Sequence, residues 1–143
     1  MDFSAIILDY SHSMPYWNQF LMLLQKEATD SKVNIRSYKA GEIHLNIGQF
    51  TDVVFLADGE KKEFLGAEEF DDLTFEQLRK HLDIIPEILI IGSGEKQRFL
   101  PLDIVKKIND LSIAVETMAS RQACHTYQVL SYEKRVVFAL IYP

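Results

Sequence analysis

Residues 86–101 read Pro-Glu-Ile-Leu-Ile-Ile-Gly-Ser-Gly-Glu-Lys-Gln-Arg-Phe-Leu-Pro, and this stretch decides the fold class. The apolar run Ile88–Ile91 has the length of a strand and no polar alternation, which is typical of a strand buried on both faces of a parallel sheet. The turn Gly92-Ser93-Gly94 ends this strand, and Pro101 begins a helix that runs to about Asp110. A strand, a tight turn and a helix in this order predict an α/β protein.

The chain on both sides extends this pattern. Downstream, we predict a strand, a helix and a final buried strand, at residues 113–115, 120–131 and 136–141. Upstream, the predicted elements are strands at residues 43–47, 53–56 and 62–65, the last two joined by an Asp58-Gly59 hairpin turn, and a helix from the capping box Thr74–Gln77 to about Leu82. Because hairpins fill the first half and strands alternate with helices in the second, we predict an α/β fold with a mixed sheet rather than a doubly wound nucleotide-binding fold.

The first 34 residues differ from the rest and predict an N-terminal extension before a domain of residues 35–143. Residues 3–8 are typical of a short strand or an apolar arm, and Ser13-Met14-Pro15 is a helix start. An apolar stripe at helical spacing follows, made of Trp17, Phe20, Leu21 and Leu24. The polar residues 28–34 indicate a linker. The stripe packs on its own domain or docks a partner, and we favour self-association.

Composition restricts the class of protein. Of the 143 residues, 48% are hydrophobic and 25% are charged, which are ordinary values for a globular domain. The net charge of −6 disfavours binding to nucleic acid, because an acidic surface repels phosphate. The longest apolar run, Val136–Tyr142, is far shorter than the ~20 residues of a membrane span. We therefore expect neither a nucleic-acid partner nor a membrane span.

Cysteine and histidine usage restricts the chemistry further. Cys124 is the single cysteine, so the chain cannot form an internal disulfide, and the four histidines show no metal-ligand spacing. The first 25 residues contain no Lys or Arg, unlike secretory or mitochondrial leaders. We expect a cytoplasmic protein without a metal or cofactor.

The turn Gly92-Ser93-Gly94 is the first candidate site. Backbone N–H groups of such a turn can cradle an anion, and Lys96 and Arg98 add positive charge nearby. The dinucleotide fingerprint is incomplete, because Gln97 stands where a third glycine is needed. A tight turn that needs a positive φ explains the same residues, so a structural turn and a small-anion or small-ligand pocket both stay open.

Cys124 is the second candidate. Arg121 lies three residues earlier on the same helical face and favours a reactive thiolate, whereas His125 projects elsewhere and is a poor base. A lone intracellular cysteine is more often a small buried hydrophobic residue. We favour the buried interpretation.

Two glutamates are the third candidate. Glu116 ends an apolar strand, where α/β proteins often place functional groups, and Glu133 lies near the last strand. Glu116 can form a buried ion pair with Arg98, Arg121 or Arg135. No complete set of catalytic residues is visible, and we favour structural ion pairs.

The chain resembles a known family through an ordered series of short motifs. They are Tyr38-x-x-Gly41-x-Ile43, then residues 86–98, Val115-Glu116-x-Met118, Ala123-Cys124-x-Thr126-Tyr127-x-Val129-Leu130 and Glu133-x-Arg135-Val136. The series is similar to the Mth-type or assembly-factor-three-like domain, whose eukaryotic members include mitochondrial complex I assembly factor three and a cytosolic adipogenesis-associated protein. The chain departs from the family pattern at Ala119 and His125, where an Asp and an Arg are usual.

The resemblance covers residues 35–142 and implies a three-layer α/β arrangement, with a central mixed β-sheet, a small β-hairpin layer and flanking helices. It implies a non-catalytic binding or assembly protein that acts through a protein partner or self-association. The alternative is a small-ligand-binding protein or an enzyme. Its candidate pocket residues are Gly92, Ser93, Gly94, Arg98, Glu116, Met118, Arg121 and Cys124.

Overall fold

The computed structural model describes residues 32–133 and 135–143, and these contain eight strands and three α-helices. The strands are β1 (Ile35–Lys39), β2 (Glu42–Leu45), β3 (Gly48–Phe50), β4 (Val54–Ala57), β5 (Glu60–Lys62), β6 (Ile88–Ser93), β7 (Ala114–Met118) and β8 (Val137–Tyr142). The helices are α1 (Phe75–Arg79), α2 (Leu102–Asp110) and α3 (Ser120–Ser131), and a 3₁₀ turn covers Phe70–Asp72. The predicted mixed α/β fold is confirmed.

The central sheet has five strands in the order β5-β4-β8-β6-β7. β4 is antiparallel to both β5 and β8, whereas β6 is parallel to both β7 and β8. The small second sheet is an antiparallel meander in the order β1-β2-β3. Gly92 of β6 has Met118 on one side and Ile141 on the other, so three strands end together at the site described below.

The central sheet separates two hydrophobic cores. Alternate residues of β8 point to opposite faces, as strand geometry requires. Phe138, Leu140 and Tyr142 pack in the α2-side core with α1, α2 and the 3₁₀ turn. Val137, Ala139 and Ile141 pack in the α3-side core with α3 and the small sheet. All six side chains are buried, so this apolar run is a central strand with both faces covered, as is β6.

Strand boundaries differ from the prediction where a turn carries an apolar residue. The strand predicted at residues 43–47 ends at Leu45, and Ile47 is exposed in the turn that leads to β3. The Asp58-Gly59 turn is confirmed, with φ of 55° and 76°. Because this turn has only two residues, the returning strand begins at Glu60 instead of residue 62.

Helix α1 begins as predicted and ends early. Thr74 Oγ1 accepts from the Gln77 N–H at 3.3 Å, and Gln77 Oε1 accepts from the Thr74 N–H at 3.2 Å, which is a complete capping box. The helix ends at Arg79 instead of residue 82, because the chain tightens there into i→i−3 hydrogen bonds at His81 and Leu82.

The predictions for the N-terminal segment lie outside the described residues. They are the strand or arm at residues 3–8, the helix start at residues 13–15, the apolar stripe from Trp17 to Leu24 and most of the linker at residues 28–34. The described chain from Val33 to Pro143 forms a compact unit of its own.

Candidate functional site

The turn after β6 is held by the buried hydroxyl of Ser93. Ser93 Oγ donates to the Lys96 carbonyl at 2.7 Å and accepts from the Arg98 N–H at 3.0 Å. Gly94 has a φ of +102°, so the predicted need for a positive φ is confirmed at this position. The turn is therefore closed by its own side chain.

Ser120, the first residue of α3, joins this turn to the end of β8. Its buried hydroxyl accepts from the Gly94 N–H at 2.8 Å and donates to the Tyr142 carbonyl, and the Ser120 N–H donates to the Gly94 carbonyl at 2.8 Å. A Cβ atom on Gly92 would lie 2.7 Å from Ser120 Oγ, so Gly92 is required by close approach and not by its φ. Our sequence reasoning did not identify Ser120 as a site residue. The available signal was its position directly after Met118-Ala119, since a serine at the start of a helix is suited to bond nearby backbone groups.

Arg98 lies on the α2 side of the sheet. Its Nη1 donates to Asp71 Oδ2 at 2.9 Å, its Nη2 donates to the Ser93 carbonyl at 2.8 Å, and its guanidinium carbon lies 5.2 Å from the centre of the Phe70 ring. The guanidinium thus ties the 3₁₀ turn to the end of β6. Two of its five N–H donors are thus used within the protein.

A cleft of about 600 Å³ opens beside Arg98. Lys61, Lys62 and Arg98 line it together with acidic residues and with Phe64, Phe70 and Tyr142. The Tyr142 hydroxyl donates to the Ala67 carbonyl at 3.0 Å, and burial, with help from Glu69 and Asp72, raises its pKa. The charges in this cleft are mixed, so it favours neither an anion nor a cation.

Arg121 and Cys124 lie on the opposite, α3 side of the sheet, beside Tyr38 of β1. Arg121 Nη1 donates to the Tyr38 carbonyl at 3.2 Å, and the guanidinium lies 5.4 Å from the centre of the Tyr38 ring. Met118 packs against the same core and its sulfur accepts from Thr126 Oγ1 at 3.4 Å. Tyr38 was not among our candidate residues.

The titratable groups on this side are held in their neutral forms. Burial raises the pKa of the Cys124 thiol to about 12, and nearby Arg121 lowers it only in part. Burial also raises the pKa of Tyr38, as do Glu95 and Cys124, whereas the Gly41 amide and Arg121 lower it. The thiol is protonated at neutral pH, which agrees with our interpretation of Cys124 as a buried residue and not a nucleophile.

The glutamates behave differently from each other. Glu133 pairs with Arg135 at 3.5 Å, and Arg135 also contacts Glu87 at 3.2 Å, which confirms a structural ion pair for Glu133. Glu116 is exposed on β7 and forms no ion pair with any residue the structure describes. The ion pair that we favoured for Glu116 is therefore not observed.

The candidate residues thus divide between two places. Gly94, Arg121, Cys124 and the added Tyr38 lie around the start of α3, while Arg98 turns to the α2 side. Arg98, Glu116 and Cys124 do not converge on one cleft. Within residues 32–133 and 135–143, no group of histidine, cysteine or acidic side chains is arranged to hold a metal ion.

The fold and these motifs define a family of small α/β domains. The family model described as a protein of unknown function (DUF498/DUF598) matches residues 35–142, about three quarters of the chain, and the chain belongs to this family.

We compare two of the curated proteins that are similar in sequence. The 13 kDa major membrane protein of Francisella tularensis is 36% identical over 126 residues, which cover 85% of this chain and 99% of that protein. This match is longer than residues 35–142, so it extends into the N-terminal segment. The NADH dehydrogenase [ubiquinone] 1 alpha subcomplex assembly factor 3 of Danio rerio is 31% identical over 74 residues, which cover 50% of this chain and 42% of that protein. The predicted resemblance to the family that includes assembly factor three is confirmed.

A solved structure agrees with the fold. A protein from Bordetella parapertussis superimposes with a TM-score of 0.71 at 25% identity, over 78% of this chain and 96% of that one. None of the helices within residues 32–133 and 135–143 has the length and hydrophobicity of a membrane-spanning segment.

Proposed function

We propose that this protein is a non-catalytic binding or assembly protein that acts through a protein partner. The observation that carries this proposal is the 31% identity to a protein named as an assembly factor, across half of the present chain. The name of that factor supports, by analogy, only the kind of activity proposed here, which is assembly. It does not identify the partner of this chain.

The chemistry of the site supports this proposal. Ser93 and Ser120 are buried and use their hydroxyls to hold backbone groups, and the Cys124 thiol is protonated at neutral pH. A nucleophile needs a base or a lowered pKa, and these three groups have neither in the described structure. They are suited to holding the strand ends together.

An exposed apolar tip provides a surface for a partner. Phe99 and Leu102, on either side of Pro101 at the start of α2, are 79% and 84% exposed. Together they present an apolar area of about 300 Å², less than half of the ~800 Å² that each partner of a stable complex buries. The tip is therefore suited to act as an anchor within a larger interface.

The test is quantitative affinity purification from the native cell, with matched double variants. We expect Phe99→Ser with Leu102→Ser to reduce recovery of the bound protein at least tenfold. The control, Val129→Ser with Tyr132→Ser, removes two exposed side chains of another surface, at the C-terminal end of α3, and should leave recovery unchanged. Equal recovery with both double variants would show that the Phe99/Leu102 tip is not the binding surface. Failure to recover any protein above background would rule out the proposed function.

We further propose a cytoplasmic location, which the single, unpaired and buried Cys124 supports. The name of the Francisella relative points instead to a membrane. Cell fractionation separates the two: we expect the protein in the supernatant after high-speed centrifugation. Recovery in the membrane pellet that survives a high-salt wash would contradict the proposal.

A further inference from the structure

The hydroxyl of Tyr38 is buried without a hydrogen-bond partner among the described residues. Tyr38 is only 6% exposed, and a buried hydroxyl that lacks a partner is costly. The Gly41 amide lies near the phenol oxygen, but an N–H can only donate, so the phenol proton still lacks an acceptor. The position needs an acceptor atom.

The groups around this hydroxyl are mostly donors. Arg121 stacks on the Tyr38 ring and uses one of its N–H groups on the Tyr38 carbonyl, which leaves others free. Cys124, whose thiol is protonated, is a weak donor beside the hydroxyl. The N–H groups of Arg121 and Gln122 lie in the first turn of α3, where a helix provides no carbonyl for them.

The start of α3 brings these donors together. A helical side chain leans toward the N-terminus of its helix, so the Cys124 side chain extends toward the first turn of α3. Cys124 and Arg121 are both close enough to the Tyr38 hydroxyl to influence its pKa. The Gly94–Ser120 hydrogen bonds hold the end of β6 against the same turn. Helix α3 has twelve residues, and the positive end of its dipole lies at this first turn.

Among the residues that the structure describes, Glu95 is the acidic side chain whose charge raises the pKa of Tyr38. It is exposed on the turn that follows Gly94. A bound anion and the Glu95 carboxylate would repel each other, and neutral Glu95 would favour the anion.

We propose that Tyr38, Arg121 and the first turn of α3 bind the oxyanion group of a small ligand, either a carboxylate or a phosphate. The Tyr38 hydroxyl and the guanidinium donate to the oxyanion, and the helix start contributes its N–H groups. This site is separate from the Phe99/Leu102 tip, so it does not depend on the proposed function.

The test is a titration of the full chain with sodium acetate and with sodium phosphate at constant ionic strength, followed by the amide NMR signals of Arg121 and Gln122. We expect saturable shifts with at least one salt and none with sodium chloride. Tyr38→Phe should weaken the affinity about tenfold, because a hydrogen bond to a charged group is lost. The matched control Tyr127→Phe, another buried tyrosine of the same core, should leave the affinity unchanged.

A second variant makes a prediction of opposite sign. Glu95→Gln should tighten binding severalfold, because it removes the like charge without removing a structural contact. The absence of saturable shifts with both salts would overturn the proposal. So would an affinity that Tyr38→Phe leaves unchanged, since the hydroxyl would then be only a tolerated packing defect or the partner of a buried water.

Discussion

Gly94 is held in a conformation that other residues rarely adopt, with a φ of +102°, and an added Cβ would also lie 3.3 Å from Arg98 Nη2. We expect Gly94→Val to lower the free energy of unfolding by about 1–3 kcal/mol. Gly41→Val separates the two causes, because Gly41 has a φ of +79° and no atom within 4 Å of an added Cβ, so its cost comes from backbone strain alone. Urea denaturation measures both, and equal stability of Gly94→Val and the wild type would show that the turn tolerates a side chain.

Cys124 links stability to pH. Its pKa is about 12 in the folded state and ~8.5 in an unfolded chain, so above pH ~8.5 the unfolded state loses a proton that the folded state keeps. The stabilising effect is complete below pH ~8.5 and declines as the pH rises toward 12. We expect the free energy of unfolding to fall by up to about 1.4 kcal/mol per pH unit between pH ~8.5 and 10. Cys124→Ala should flatten this slope, and an unchanged slope in the variant would contradict the assignment.

The same burial predicts the reactivity of the thiol. We expect a maleimide reagent to label native Cys124 slowly and the urea-unfolded chain rapidly, because only a thiolate reacts and the native thiol is inaccessible. Rapid labelling of the native protein at neutral pH would mean that the start of α3 opens readily.

At the scale of the elements, the capping box provides most of the local stability of α1. The helix has only five residues, and so short a helix is not stable in water by itself. Gln77 Oε1 also accepts from the Ala67 N–H at 3.1 Å, so the box fixes the preceding loop as well. We expect Thr74→Ala to cost about 0.5–2 kcal/mol, and Thr74→Ser to restore most of the loss. Thermal denaturation tests both, and equal melting temperatures for Thr74→Ala and the wild type would show that the helix is held by packing alone.

Local patterns predicted the elements that depend on local chemistry. The Asp58-Gly59 turn, the capping box and the buried runs of β6 and β8 were all predictable, because each follows from a short stretch of chain. Ile47 misled the prediction of β2, since it continues the alternation of the strand but lies in the turn. β3 was missed because its Gly-Gln-Phe sequence has no strand pattern, and it exists through its pairing with β2.

The site was less predictable because its contacts connect distant parts of the chain. Gly94 and Cys124 were candidates from local motifs, but Tyr38 reaches Arg121 across 83 positions and Ser120 reaches Tyr142 across 22. Sequence spacing could not reveal these contacts. It also placed Arg98 and Cys124 in one pocket, whereas Arg98 lies beside Phe70 on the α2 side of the central sheet and Cys124 lies in the core on the α3 side.

At the scale of the whole molecule, the buried residues of both cores run from Ile35 to Tyr142 within the part of the chain that the structure describes. We therefore expect a fragment of residues 33–143 to unfold cooperatively, with a melting temperature close to that of the full chain. A fragment without a cooperative transition would show that residues 1–32 are needed for folding.

The same fragment tests the prediction made for the stripe from Trp17 to Leu24. If the stripe mediates self-association, the full chain forms dimers at high concentration and the fragment does not. Sedimentation equilibrium gives both masses. A monomeric full chain, or a dimeric fragment, would contradict the prediction.

The position of β8 also affects how the protein is made. β8 lies between β4 and β6, yet it is synthesised at least 44 residues after both of them. On the ribosome, the nascent chain therefore carries two apolar strands whose inner edges stay open until residues 137–142 leave the exit tunnel. Neither core can close before that moment, because β8 contributes three side chains to each. The domain consequently cannot complete its fold until β8 has emerged, and its nascent chain is until then a natural client for chaperones that bind exposed apolar segments.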